Sequence, residues 1–108
     1  MAEVLMRQFD VFRNPSAGTR KAMPYLMVLQ HDRVSETSFV IVAALVPPLK
    51  SGVASRLYPV LRFDGRELML LTPDLASLPR AVLKQRIANL DHERSRIIAA
   101  LDLLFAGS

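Results

Sequence analysis

The 108-residue sequence contains no cysteine and no tryptophan, and it has only four glycines and two histidines. Without cysteine, a disulfide, a thiolate metal site and a cysteine nucleophile are all excluded. The glycines are not grouped, which excludes a glycine-rich loop that cradles phosphate. His31 and His92 are too few for a histidine-based metal site, so we expect no metal and no other cofactor.

Long hydrophobic runs are also missing. The longest apolar segment, residues 39–49, contains Pro47 and Pro48 and is much shorter than the roughly 20 residues of a membrane span. The N-terminus has no basic region followed by an apolar block, so it does not look like a secretory signal. We therefore expect a cytoplasmic protein that does not associate with a membrane.

The composition is that of a globular protein, with 51% hydrophobic and 22% charged residues. A chain of this length supports one domain with one core. The net charge is +4, but the basic residues are scattered and are not interleaved with aromatic residues. An acidic protein partner is therefore a better expectation than direct binding of nucleic acid.

The first half of the chain predicts three strands. Residues 8–12 alternate polar and apolar, which is typical of a strand with one buried face. Residues 25–30 form a second apolar run, which we expect to pair back onto the first. Residues 39–46 are rich in β-branched side chains and predict a central strand that is buried on both faces. A turn at residues 14–18 and a polar loop at residues 31–38 separate these strands.

The dipeptide Asp64-Gly65 is the strongest turn signal in the sequence. It predicts a hairpin between residues 60–63 and residues 66–71. Before the hairpin, residues 53–58 predict a further extended segment, and after it residues 72–74 predict a turn.

Two segments near the C-terminus favour helix. Residues 79–90 contain good helix formers behind a proline that a first helical turn tolerates, so propensity alone predicts a helix there. Residues 91–108 are the clearest periodic segment, because apolar side chains recur every three or four positions. That stripe consists of Ile97, Ile98, Leu101, Leu104 and Phe105. We expect the stripe, including Phe105, to pack in the core, with Asp91 capping the helix start and Gly107 turning left-handed after its end.

No catalytic constellation emerges from the sequence. Thr72 and Ser77 lie in predicted turns without an identifiable general base beside them, which argues against nucleophilic catalysis. His92 and Glu93 are neighbours and do not face the same way on a helix, so we interpret them as a solvated first turn.

Several segments together resemble one protein family, the CcdB toxins of bacterial toxin–antitoxin modules. Four matches occur in the family's order: Gln8-Phe9-Asp10-Val11-Phe12, Leu57-Tyr58-Pro59-Val60, Thr72-Pro73-Asp74-Leu75-Ala76-Ser77-Leu78-Pro79, and Leu90-Asp91-His92-Glu93-Arg94 leading into a helix that ends Leu104-Phe105-Ala106-Gly107. The resemblance covers residues 7–108, which we expect to form a single CcdB-like domain, with residues 1–6 as an N-terminal extension.

The resemblance implies an α+β fold that is mainly β: a small curled antiparallel barrel-like sheet, a small three-stranded sheet and one C-terminal α-helix. It also implies that residues 78–83 begin as a strand, against the propensity for helix, and it leaves residues 84–90 open. Members of the family form homodimers, bind the A subunit of DNA gyrase and trap the topoisomerase on cleaved DNA. A cognate antitoxin with a disordered acidic tail neutralises them, and they are not enzymes.

In the family, the gyrase contact lies at the C-terminus, where an aromatic residue, usually tryptophan, precedes a glycine and an aliphatic residue. The resemblance assigns this contact to Ala106, Gly107 and Ser108 here, and only Gly107 matches. Asp102 stands where the family tends to have asparagine. A tryptophan at the centre of an interface often contributes about 2–4 kcal/mol, so its absence corresponds to roughly 30- to 1000-fold weaker binding.

Two other functions stay open at this point. The MazF-type endoribonuclease toxins resemble the CcdB family in fold, and Arg13, Arg20 and Lys21 near a sheet edge could hold RNA, although fold alone does not give function. Alternatively, a homologue that no longer poisons gyrase could titrate the antitoxin.

Overall fold

Six strands and one α-helix make up the fold. The computed structural model describes residues 6–34, 37–49 and 55–108. The strands are β1 (Asp10–Arg13), β2 (Tyr25–Val28), β3 (Phe39–Val46), β4 (Val60–Phe63), β5 (Arg66–Pro79) and β6 (Arg86–Asn89), and the helix is α1 (Arg94–Ala106). Every strand pair is antiparallel, and the order across the sheet is β4-β5-β3-β2-β1-β6. The sheet curls into a nearly closed barrel.

The predicted α+β, mainly β class with a curled antiparallel sheet and a C-terminal helix is confirmed. The small separate three-stranded sheet is not found in the described ranges, where all six strands belong to one sheet. The length of β5 is the physical reason, because its 14 residues pair with β4 and also along β3.

Alternation along the strands places side chains in two cores on opposite faces of the sheet. On β1 and β2, Val11 and Met27 lie in the core that α1 covers, while Phe12 and Leu26 lie in the other. The expected pairing of the second strand onto the first is confirmed. Burial of β3 on both faces holds only from residue 42 onward.

The hairpin between β4 and β5 is confirmed, with its turn at Asp64-Gly65. Asp64 has φ 53° and Gly65 has φ 72°. A two-residue turn whose backbone twist matches that of its strands needs positive φ at both positions, which aspartate tolerates and glycine adopts without strain.

The turn predicted at residues 72–74 is wrong, because these residues lie inside β5. They form a large bulge. Ala43 of β3 pairs with Leu75 of β5, and Leu45 pairs with Leu70, so an advance of two residues along β3 corresponds to five residues along β5. Proline has no N–H to donate to a ladder, and a bulge is one of the few places in a sheet that accept it. The turn signal of Pro73 therefore produced a local irregularity without reversing the chain.

The helix predicted at residues 79–90 is also wrong. The strand β5 continues to Pro79, a 3₁₀ turn occupies Arg80–Val82, and β6 pairs with β1. The strand that the resemblance implied at residues 78–83 is thus present only to Pro79. Of the extended segment predicted at residues 53–58, positions 53–54 lie outside the described residues, and positions 55–58 form no strand.

The C-terminal helix is present, but it begins at Arg94 after a 3₁₀ turn at Asp91–Glu93. The predicted cap by Asp91 is wrong, since its carboxylate accepts from the Arg94 side chain at 3.1 Å. The left-handed Gly107 is confirmed, with φ 80°. Ile97 is fully buried, whereas Phe105 is 71% exposed, so the expectation of a core Phe105 is wrong. Among the described residues, no helix has the length and hydropathy that crossing a bilayer requires.

Side chains cover the outer edge of β4 and bring the barrel close to closure. The Glu93 carboxylate accepts a hydrogen bond from the Arg62 N–H at 2.8 Å, and His92 Nε2 lies 3.0 Å from the Arg62 carbonyl oxygen. The Arg96 guanidinium donates to the Val60 carbonyl oxygen. The turn before α1 and the first turn of the helix therefore take the place of a neighbouring strand.

Candidate functional site

The four residues predicted as the binding site lie together at the end of α1. Asp102, Ala106, Gly107 and Ser108 are all exposed. Asp102 and Ala106 are four positions apart and share a helix face. The Gly107 N–H donates to the Leu103 carbonyl oxygen at 3.1 Å, which closes the helix and turns Ser108 away from its axis.

An apolar groove that the sequence did not predict runs beside this helix end. It has a volume of about 520 Å³ and is lined by α1, β3, β5 and the residue that follows β2. Its lining residues are Leu29, Ile41, Leu75, Ala76, Ser77, Leu101 and Phe105. Phe105 lies in the last turn of α1, where it lines this groove and is 71% exposed. The position of Phe105 in the final turn before a left-handed glycine was the signal that could have revealed it.

Exposed apolar side chains continue from the groove along β3. Phe39 is 53% exposed and Ile41 is 38% exposed, and they pair with Pro79 and Ser77 of β5. Isolated exposed apolar residues are ordinary, but adjoining ones beside a groove mark an interaction surface. The helix end and the groove thus form one candidate site, with Phe105 between them.

A second concavity, the polar cleft, lies on another side of the molecule and has a volume of about 570 Å³. Asp10 lies at its base with its side chain only 2% exposed. The Asp10 carboxylate accepts hydrogen bonds from the Arg7 N–H at 2.8 Å, from Asn89 Nδ2 at 2.9 Å and from Arg86 Nη1 at 3.2 Å. A buried carboxylate requires such partners, because an unpaired one costs several kcal/mol.

Phe9 lies beneath this cleft in an unusual backbone conformation. It is fully buried and has φ 70°, a value that bulky residues rarely adopt. Its N–H donates to the Val28 carbonyl oxygen, its carbonyl accepts from the Leu90 N–H, and the Arg94 guanidinium lies 4.8 Å from its ring centroid. Strain of this kind costs about 1–3 kcal/mol and persists only where the surroundings enforce it.

A sequence model of a known family accounts for nearly the whole chain. The model described as CcdB protein matches residues 8–107. The chain belongs to the CcdB family. The match includes the strand that carries Asp10 and the last turn of α1, so most of the polar cleft and of the helix end is built from family sequence, and only Arg7 and Ser108 of these two sites lie outside the match. As a CcdB-family protein, this chain is a toxin of a toxin–antitoxin pair.

The histidines of this CcdB-family chain lie apart. His92 contacts β4 as described above, and His31 Nδ1 accepts a hydrogen bond from the Arg33 N–H at 3.1 Å. In the part of the chain that the structure describes, no group of three or more histidine, aspartate or glutamate side chains could hold a metal ion.

The other residues considered from the sequence are also separated. Thr72 is fully buried within the β5 bulge, whereas Ser77 is exposed at the apolar groove. Of the basic residues considered for RNA binding, Arg13 and Lys21 are exposed. The Arg20 guanidinium is used locally, since its Nε donates to the Asn14 carbonyl oxygen at 2.7 Å.

Proposed function

We propose that this toxin acts in the bacterial cytoplasm as a homodimer that binds the A subunit of DNA gyrase and inhibits the topoisomerase without being an enzyme itself. A cognate antitoxin with an acidic, disordered tail neutralises it. The net charge of +4 supports such a partner, because opposite charges accelerate and orient association.

The exposed end of α1 is the observation that carries the gyrase proposal. A packed helix presents Asp102, Ala106, Gly107 and Ser108 in a fixed arrangement, so little conformational entropy is lost when a partner binds them. The family's tryptophan is replaced by Ala106, but Phe105, which is 71% exposed, offers an aromatic side chain one position earlier. Aromatic residues at the centre of an interface commonly contribute most of its binding energy.

The apolar surface beside the end of α1 supports the proposed homodimer. The apolar groove continues into exposed Phe39 and Ile41, and removing such surface from water is favourable by about 25 cal/mol per Å². Sedimentation equilibrium of the purified chain tests this part of the proposal. We expect a dimer mass at micromolar concentration, and a monomer at every concentration would disprove it.

Gyrase itself provides the test of the main proposal. We expect purified protein to inhibit supercoiling by gyrase and to accumulate cleaved DNA bound to the enzyme. Both the inhibition of supercoiling and the accumulation of cleaved DNA should be lost when Phe105 and Gly107 are both replaced by aspartate. Supercoiling that is unchanged at high protein concentration would remove gyrase as the target.

One observation favours a second candidate, in which the chain sequesters antitoxin without poisoning gyrase. Ala106 and Ser108 are exposed at the helix end and are smaller than the aromatic and aliphatic residues of the family contact. Induced expression separates the two candidates. Growth arrest that co-expressed antitoxin relieves supports a toxin, whereas normal growth together with tight antitoxin binding supports the second candidate.

A further inference from the structure

The strand β6 ends the sheet, and its outer edge differs from that of β4. In residues 6–34, 37–49 and 55–108, β6 pairs with β1 on one side and with no strand on the other. The turn before α1 and the first turn of the helix cover the outer edge of β4 with the side chains of Glu93, His92 and Arg96. Edge strands present unpaired backbone groups and are natural templates for another chain.

Concavities border β6 on both faces of the sheet. One is the polar cleft, which has Arg7 and Arg94 among its lining residues. The other, which we call the seam cleft, has a volume of about 370 Å³ and lies between β4 and β6, with Phe63 and Leu90 among its lining residues. Ile87, Ala88 and Asn89 line both concavities, so three consecutive residues of β6 connect them.

The outer edge of β6 is protected only in part, by the charge of Arg86, which points inward to Asp10. Natural proteins commonly protect an exposed edge with inward-pointing charges, prolines or a covering loop. Ile87, in contrast, is an apolar residue that is 39% exposed. It adjoins both the apolar base of the seam cleft and the arginines of the polar cleft.

The segment that forms this edge carries charges of one sign, whereas the polar cleft beside it contains both arginines and the aspartates Asp10, Asp32 and Asp91. Residues 75–90 include Arg80, Lys84 and Arg86 but no aspartate or glutamate. In the polar cleft, the Arg7 side chain is 65% exposed and the Arg94 side chain is 46% exposed. Each makes an ion pair with an aspartate, yet a guanidinium has five N–H donors and can bind a second carboxylate.

We propose that the outer edge of β6 binds an extended acidic segment of a partner protein by strand addition. The segment pairs its backbone with Ile87 and Asn89. Because successive side chains of a strand point to opposite faces, alternate residues enter the two clefts. Apolar side chains lie over Phe63 and Leu90 in the seam cleft, and acidic side chains reach Arg7 and Arg94 in the polar cleft. The antitoxin tail has this chemistry, and in naming that tail as the natural source the inference rests on the proposed function.

A synthetic peptide tests the site without gyrase or antitoxin. The probe is an acetylated and amidated octapeptide of alternating valine and glutamate, titrated into the isotope-labelled full chain at physiological salt. We expect amide NMR shifts centred on Ile87, Ala88 and Asn89, together with slower hydrogen exchange there. Shifts centred on the apolar groove or on the end of α1, or no shifts at all, would overturn the proposal.

Two altered peptides separate strand addition from attraction between charges. One has lysine in place of glutamate, and we expect it to bind at least tenfold more weakly. The other keeps glutamate but has N-methyl groups on alternate backbone nitrogens along the pairing edge, and we expect a similar loss because it cannot donate to β6. Equal binding of either peptide and the parent would contradict the proposal.

Variants of the chain complete the test. Ile87→Glu places a like charge at the edge and should weaken binding at least tenfold, whereas Leu49→Glu, at a position 60% exposed beyond β3, should leave it unchanged. The amide spectrum of each variant reports whether it is folded. An unchanged affinity of folded Ile87→Glu would refute the site while leaving the gyrase proposal intact, and inactivity towards gyrase would leave the peptide result intact.

Discussion

The guanidinium of Arg86 on β6 lies 3.2 Å from the carboxylate of Asp10 on β1, and the Asp10 side chain is only 2% exposed. This contact joins residues 76 positions apart in sequence and links the edge strand to its only neighbour in the described chain. Asn89 strengthens the link, since its Nδ2 donates both to Asp10 and to the Gln8 carbonyl oxygen.

We therefore predict that Asp10→Ala destabilises the fold by about 3 kcal/mol. The substitution leaves the Arg7 N–H and the Asn89 amide without their buried acceptor, and each hydrogen bond to a charged group contributes about 1.5–3 kcal/mol. Urea denaturation measures the change. A matched control is Glu67→Ala, which removes a partner of the Arg62 ion pair, whose side chains are 80% and 58% exposed. That change should cost no more than about 1 kcal/mol. Equal effects of the two substitutions would show that burial of Asp10 contributes little.

Substitutions of Ile97 and Phe105 should have different effects, the first on the stability of the fold and the second on gyrase inhibition. Ile97 is fully buried under the sheet, so Ile97→Ala should cost about 2–5 kcal/mol. At a protein concentration low enough for the monomer to dominate, Phe105→Ala should change the free energy of unfolding by no more than about 0.5 kcal/mol, because most of that side chain is exposed. We expect it nevertheless to reduce gyrase inhibition at least tenfold. Thermal denaturation and a supercoiling assay on the same preparations provide both values, and a large loss of stability in Phe105→Ala would restore this residue to the core.

Ala106→Trp should increase gyrase inhibition. The position is exposed, so the new side chain meets no obstacle in the core, and an interface tryptophan contributes about 2–4 kcal/mol, or roughly 30- to 1000-fold in affinity. The control is Ala99→Trp, which adds the same side chain at an exposed position two turns earlier on α1. A gain that is specific to Ala106→Trp would indicate a weakened but intact contact. No gain in either variant would mean that the target is not gyrase.

Gly65→Ala should destabilise the hairpin by about 1 kcal/mol, because an L-residue at φ 72° pays roughly that penalty. For a domain of this size, the melting temperature should fall by about 4–8 °C. Gly18→Ala is the control, since Gly18 does not have positive φ and nothing lies within 4 Å of an added Cβ. We expect Gly18→Ala to be neutral or slightly stabilising. A melting temperature unchanged by Gly65→Ala would show that the turn adapts.

Structures that are determined by a few neighbouring residues were predictable from the sequence. Asp64-Gly65 gave the hairpin and its register. The alternation in residues 8–12 gave the presence of β1, but the strand begins at Asp10 and is buried on both faces, so the expectation of one buried face is wrong. Gly107 gave the end of α1. For the hairpin turn and the helix end, the residues themselves restrict φ, and no distant partner is needed to decide the outcome.

Features that depend on distant partners were not predictable. Residues 86–89 have acceptable helix propensity, but pairing with β1 and the bond from Arg86 to Asp10 make them a strand, which shows how tertiary contacts override propensity. The apolar groove is lined by residues of β3, β5 and α1 that are distant in sequence, and periodicity within the helix cannot report how they come together. For this reason the helical spacing, although correct, wrongly predicts that Phe105 lies in the core.

The bond between the Arg62 N–H and the Glu93 carboxylate has a consequence for local opening. The start of α1 can move away from the outer edge of β4 without breaking any strand pair, because the acceptor of this bond is a side chain of the turn before α1. The Arg62 amide should therefore exchange its hydrogen with solvent when the start of α1 moves away from β4, while amides inside the ladders wait for the sheet to unfold. The exchange rate of that one amide measures undocking of the helix, separately from melting of the barrel.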